Sequence, residues 1–227
     1  MLSRKEVDEI KPQDVHKILG DLMLIKGYAL VFDTEKSHGS YIVDSLTDKE
    51  FLDMFTFYAS WPISHNHPSL REASFMKKIS NVSIHNPSNP DIYTIEQAQF
   101  VSTFKRVCMP PEFKHLFLIA GGTLAVENAL KVAFDWKVRK NILKGKTDRE
   151  YGHKVLHFRN AFHGRSGYSL SLTNTDPAKY QYFPMFPWPR VDYPATNVYG
   201  ENIDEKEKEV ISEIRSILEK RLMISHA

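Results

Sequence analysis

The stretch His115-Leu116-Phe117-Leu118-Ile119-Ala120-Gly121-Gly122-Thr123-Leu124-Ala125-Val126-Glu127-Asn128-Ala129-Leu130-Lys131 organises the reading of this chain. Its first six residues are a short apolar run of buried-strand type. Two glycines interrupt the run. From Leu124 to Asn141 the apolar positions Ala125, Val126, Ala129, Leu130, Ala133 and Phe134 then recur at helical spacing. A glycine turn entering a helix leaves backbone N–H groups free at the positive end of the helix dipole, which suits a phosphate-sized anion. Glycine lets a ligand approach the backbone closely. Read alone, the junction is equally an ordinary strand-to-helix turn.

Working outward, Lys154 to Phe158 is a second short strand, followed by the glycine-containing loop Ala161 to Gly167 and then Tyr168 to Leu172. Glu205 to Leu222 is a charged amphipathic helix with Val210, Ile211, Ile214, Ile217 and Leu218 on one stripe. Tyr180 to Pro194 is rich in proline and aromatic residues, which predicts an ordered loop. Lys144 to Gly152 is a polar linker. Toward the N-terminus, Asp14 is an N-cap for a helix from Val15 to Leu24. Tyr28 to Phe32 and Tyr41 to Asp44 are strand-like, and Lys49 to Phe57 is a short helix or an irregular passage. Leu70 to Ile79 and Thr94 to Val107 read as helices joined through the loop Asn86 to Asp91. Strands alternating with helices predict an α/β fold with a mostly parallel sheet.

The 227 residues leave ample length for a core, and 42% hydrophobic with 26% charged content is that of a globular protein. A formal charge of +2 gives no electrostatic reason to expect nucleic acid or an anionic membrane as partner. The single cysteine, Cys108, excludes an internal disulfide. With no signal-peptide stretch and no apolar run near the ~20 residues of a membrane span, a cytoplasmic protein is expected.

Ligands bind α/β sheets at the carboxyl ends of strands, and two such ends are marked here. One is Gly121-Gly122-Thr123; the other, Ala161-Phe162-His163-Gly164-Arg165, holds an aromatic ring, an imidazole and a guanidinium within four positions. A ring stacks on a flat cofactor, and arginine grips a carboxylate with paired hydrogen bonds. Taken singly, Phe162 is as well a core residue and Arg165 a surface ion-pair partner; their joint placement favours a site.

Gly121 to Lys131 resembles the phosphate-binding segment of class III aminotransferases, which use pyridoxal 5′-phosphate. The longer run Ala161 to Thr175, with Phe186-Pro187-Trp188-Pro189-Arg190 downstream, is similar to the L-lysine 6-transaminase branch of that family. The resemblance runs from about Pro12 to about Leu218. It implies a fold-type I transferase, with residues 1–65 an N-terminal segment of the small domain and 66–227 a truncated cofactor-binding large domain.

By the same resemblance Gly122 and Thr123 hold the cofactor phosphate, Phe162 stacks on the pyridine ring and His163 supports that pocket. Arg165 binds a carboxylate of L-lysine or of 2-oxoglutarate. Family members form homodimers. Ala59 to Pro68 matches the segment at the substrate entrance, which ends in an asparagine-histidine-proline turn, although Trp61 to Ser64 departs from the small residues of that pattern. His65 and His67 show no evident carboxylate or cysteine partner, so no metal site is expected.

The family's chemistry needs a lysine that links to the cofactor and a carboxylate beside the pyridine nitrogen. In relatives both lie beyond the region matched here. Lys131, Lys137 and Lys140 sit on a charged helix side or in polar surroundings. The chain is thus expected to be an N-terminal half that does not transaminate alone, with no catalytic residue assigned. A non-catalytic remnant or subunit partner, and a transaminase for ornithine or 4-aminobutyrate, are the alternatives.

Overall fold

The computed structural model describes residues 4–88, 90–145, 152–195 and 202–224. Asn89, within the expected Asn86–Asp91 loop, and most of the expected Lys144–Gly152 linker lie outside them. The chain divides between Met109 and Pro110 into two compact units.

The first unit opens with helices α1 (Arg4–Asp8) and α2 (Pro12–Leu22). Helix α2 starts two residues before the expected cap Asp14, because a proline at the first helical position has its φ already set. Asp14 lies instead in the first turn, where its charge complements the dipole. Strand β1 (Tyr41–Val43) pairs antiparallel with β2 (Glu50–Leu52), in the passage read as helical or irregular. The Tyr28–Phe32 strand reduces to a single bridge, Phe32 to Asp44.

After β2 the backbone makes a left-handed helical turn, α3 (Thr56–Ala59), with φ of 46°, 49°, 59° and 60° at Thr56, Phe57, Tyr58 and Ala59. Each such residue costs about 1–2 kcal/mol. Asp53 offsets part of that cost, its Oδ1 accepting the N–H groups of Phe55 (2.9 Å) and Thr56 (2.7 Å). The expected Leu70–Ile79 helix is two helices, α4 (Pro68–Arg71) and α5 (Ala73–Ser83), separated where Glu72 adopts ψ 133°. Helix α6 (Ile95–Val107) follows its reading closely, with the Thr94 hydroxyl accepting the Gln97 N–H at 3.1 Å.

In the second unit the apolar run His115–Ala120 does not form the expected strand. No described segment pairs with it, and a lone extended segment has no ladder to join. Its side chains Phe117 and Leu118 are 70% and 50% exposed. Helix α7 (Gly122–Leu143) follows the double glycine. Strand β3 (His157–Phe158) pairs in parallel with β4 (Arg190–Val191). β4 thus lies inside the stretch expected to be loop, at a break between its prolines, and Val191 is 1% exposed. Between them come helix α8 (Gly167–Leu172) and a 3₁₀ turn at Pro177–Lys179. Helix α9 (Ile203–Ile224) packs on β4 through a stripe in which only Val210 is buried.

The fold is therefore α/β, with parallel pairing confined to β3 and β4 among the described residues. The buried apolar side chains of the second unit are Leu170, Leu172, Trp188, Val191 and Val210. Trp188 stacks on Phe186 (5.1 Å) and meets Phe134 of α7 edge-on at 5.7 Å. This aromatic cluster holds α7 and α8 together just behind the loop that follows β3.

Candidate active site

Two segments meet at the carboxyl end of β3. The first is the start of α7. Gly121 has φ +86°, a conformation that favours glycine, and no side chain caps the helix. A β-carbon on Gly121 or on Gly122 would meet nothing within 4 Å. The first N–H groups of α7 are therefore left without a side-chain cap, with the helix dipole behind them.

The second segment is Ala161–Ser166, which is tied down by hydrogen bonds at Ala161, His163, Gly164 and Ser166. Asn174 brackets Ala161: its Oδ1 accepts the Ala161 N–H and its own N–H donates to the Ala161 carbonyl, both at 2.9 Å. The Thr173 hydroxyl, fully buried, accepts the His163 N–H at 3.0 Å and donates to the Gly164 carbonyl at 2.7 Å. Gly164 has φ +128°, and a β-carbon there would lie 2.5 Å from Thr123 Oγ1 and 2.7 Å from Ser169 Oγ. The loop is thus pressed directly against Thr123.

One further anchor comes from α7. Glu127 Oε1 accepts the Ser166 hydroxyl at 2.7 Å and the Ser169 N–H at 2.8 Å. Burial pushes this carboxyl up, but the hydrogen bonds from Ser169 and Ser166 outweigh it, so Glu127 titrates below the ordinary glutamate range. Behind the loop, Arg190 Nε donates to His157 Nε2 at 2.7 Å and Arg190 Nη2 to the Ser171 carbonyl at 3.0 Å. Burial, with the nearby Arg190 charge, pushes the His157 imidazole down, so it is neutral and free to accept.

The loop presents three side chains. Phe162 is not a core residue: its ring is 53% exposed, with Lys179 Nζ 5.5 Å from the ring centre. Arg165 is exposed and has no ion-pair partner among the described residues. The half-buried His163 lines a cavity of about 650 Å³ together with Phe158, Asp192 and Val210. Arrayed like this, the loop offers a flat apolar face and a free guanidinium beside an uncapped helix end.

The sequence matches the family model for class-III aminotransferases over residues 25–223. The chain belongs to the class-III aminotransferases. Among curated members, it is 50% identical to the L-lysine-epsilon aminotransferase of Mycobacterium tuberculosis over 81% of its length, and 47% identical to that of Streptomyces clavuligerus over 84%. It spans about 41% of the length of each. The crystal structure of the Mycobacterium tuberculosis lysine aminotransferase in the internal aldimine form superposes with a TM-score of 0.88 at 45% identity, covering 93% of this chain and 49% of that one.

Class-III aminotransferases depend on pyridoxal phosphate. The residues here fit that cofactor: open space over Gly121 and Gly122 at an uncapped helix end, with the Phe162 ring and Arg165 free nearby. Of the aminotransferase residues named from sequence, Gly122, Thr123, Phe162, His163 and Arg165 are brought into one region by the contact of the loop with Thr123.

Residue reading missed the anchors, Glu127, Thr173 and Asn174. Glu127 had a signal: it is an acid whose i+3 and i+7 neighbours are the apolar Leu130 and Phe134, which places it on the packed face. The expected stripe of α7 is also rotated in fact, since Ala125, Ala129 and Ala133 are exposed while Glu127 is buried.

In the first unit, His65 has a carboxylate partner that residue reading overlooked. Its Nε2 lies 2.8 Å from Asp53 Oδ2, with both side chains about 5% exposed or less. The two residues stand twelve positions apart in sequence, on either side of α3, so no local pattern pairs them. Among the described residues no group of three or more His, Cys, Asp or Glu is arranged to hold a metal. Asn66 of the Asn66-His67-Pro68 turn donates through Nδ2 to the carbonyls of Thr34 (2.9 Å) and Ser37 (2.6 Å). His67 Nδ1 accepts the Ser69 N–H at 3.2 Å and so caps α4.

Proposed function

We propose that this chain carries the part of an L-lysine 6-transaminase that holds the phosphate and one face of the ring of pyridoxal 5′-phosphate. The observation behind this reading is the contact of the Phe162–Arg165 loop with Thr123 at the uncapped start of α7. The reading is also supported by identity of 47–50% to L-lysine-epsilon aminotransferases. Gly122 and Thr123 bind the phosphate through N–H groups, and the Thr123 hydroxyl is a further donor. Phe162 stacks on the ring, His163 supports the same pocket, and Arg165 binds a carboxylate of L-lysine or 2-oxoglutarate. When bound, the cofactor supplies the aldehyde that takes up the amino group and the ring that withdraws electrons.

The reaction proposed for the whole enzyme transfers the ε-amino group of L-lysine to 2-oxoglutarate, giving glutamate and 2-aminoadipate 6-semialdehyde. A cytoplasmic homodimer serving lysine catabolism belongs to the same proposal, as does a division at residues 65 and 66 into small-domain and cofactor-binding parts. By itself the chain does not transaminate, because none of its described lysines is buried in a pocket that could hold the cofactor.

The test is titration of the chain with pyridoxal phosphate followed by absorbance, with inorganic phosphate as competitor. Saturable binding that phosphate displaces is expected, and its absence overturns the cradle. Borohydride treatment with peptide mapping tests the second point. Stoichiometric labelling of one lysine, together with turnover of L-lysine, would refute inactivity.

A further inference from the structure

Glu127 is a carboxylate 9% exposed, and every other glutamate whose side chain is described keeps more contact with water. Burying a charge is costly unless it is well hydrogen-bonded. It lies one helical turn beyond Thr123 and on the same face of α7, so the cradle and this carboxylate move as one rigid element. Its two donors, Ser166 and Ser169, belong to the exit of the ring-bearing loop and the start of α8, 39 and 42 residues further along. The loop is therefore held to α7 at two levels: Gly164 presses on Thr123, and Ser166 with Ser169 hangs on Glu127.

Resting on the cofactor reading above, we propose that Glu127 is a positioning residue that sets the height of Phe162 and Arg165 over the phosphate cradle. Thr173 and Asn174 fix the loop only to its own later segment. Glu127 alone among the hydrogen-bonding side chains described ties it to the helix that carries Gly122 and Thr123. Without it the loop keeps its internal shape and loses its register to the cradle. A carboxylate is suited to the task because one oxygen accepts both donors while its charge faces the positive end of α8.

The test compares the chain with Glu127→Ala and Glu127→Gln. Amide exchange without cofactor, read by mass spectrometry, reports the loop directly. In E127A, exchange over residues 161–169 rises about tenfold or more, the scale of losing hydrogen bonds to a charged acceptor, while residues 130–143 of α7 are unchanged. The dissociation constant for pyridoxal phosphate rises about tenfold, and that for inorganic phosphate, which needs only the cradle, rises less than about twofold. E127Q keeps an acceptor at the same place and recovers most of both effects. Unchanged exchange in the loop, a rise spread equally over α7, or parallel weakening of both ligands would overturn the proposal. A wild-type chain that binds phosphate but not pyridoxal phosphate refutes the cofactor reading instead, and the exchange comparison still decides the role of Glu127.

Discussion

Gly164→Ala puts a methyl group where, of the described glycines, a β-carbon would meet its neighbours most closely. The new β-carbon would stand 2.5 Å from Thr123 Oγ1, 2.6 Å from Thr123 Cγ2 and 2.7 Å from Ser169 Oγ, at a residue with φ +128°. Neither neighbour is a flexible chain end. Overpacking of this kind costs about 1–3 kcal/mol, and the backbone conformation, forbidding to L-residues, adds about 1–3 kcal/mol. The sum is about 2–6 kcal/mol. At about 2–4 °C per kcal/mol for a chain of this size, a central 4 kcal/mol lowers the melting temperature by about 8–16 °C. Gly122→Ala is the matched control, since its β-carbon would meet nothing within 4 Å in a helical position where alanine is favoured. Thermal unfolding followed by circular dichroism reads both variants. A G164A melting temperature within about 2 °C of wild type, or an equal loss in G122A, refutes the close packing of loop on cradle.

Thr173→Val strips the buried hydroxyl from the His163 N–H and the Gly164 carbonyl; at about 1–3 kcal/mol per orphaned group it lowers the melting temperature, while Thr173→Ser does not. The neutral His157 gives a pH dependence of definite sign. Its folded pKa lies below its unfolded one, so the unfolded chain binds more protons and stability falls as pH drops below about 6.5. Melting curves between pH 8 and pH 5 check this, and a His157→Asn variant with the same slope refutes the assignment. The exposed run around Phe117 and Leu118 leads to self-association, which sedimentation detects and Phe117→Lys with Leu118→Glu reduces; a monodisperse wild-type monomer would contradict it.

Local chemistry made some elements legible. Thr94 announced α6 because capping is settled by a hydroxyl and its own next turn, and the double glycine announced the start of α7 for the same reason. Pairing was less legible. His115–Ala120 has strand composition, yet a strand exists only with a neighbour, and two residues at Arg190–Val191 became a strand because β3 lies alongside. The side chains that present chemistry, Phe162 and Arg165, could be named from a loop of unusual composition. Those that hold the loop, Glu127 and Thr173, act through partners 9 to 42 residues distant, and no local pattern records such a bond.

The Glu127–Ser169 bond also says something about how the molecule folds. It closes a loop of 42 residues, an entropic cost of about 3 kcal/mol that must be met before any contact at the site is gained. The cradle on α7 can form early, from neighbouring residues alone, whereas the ring-bearing half arrives only once α8 has docked. Site assembly is therefore a late and concerted step. Because closure grows only logarithmically, doubling the excursion between Glu127 and Ser169 would add only about 0.6 kcal/mol. Insertions in that stretch should slow the docking of α8 far more than they weaken the finished fold.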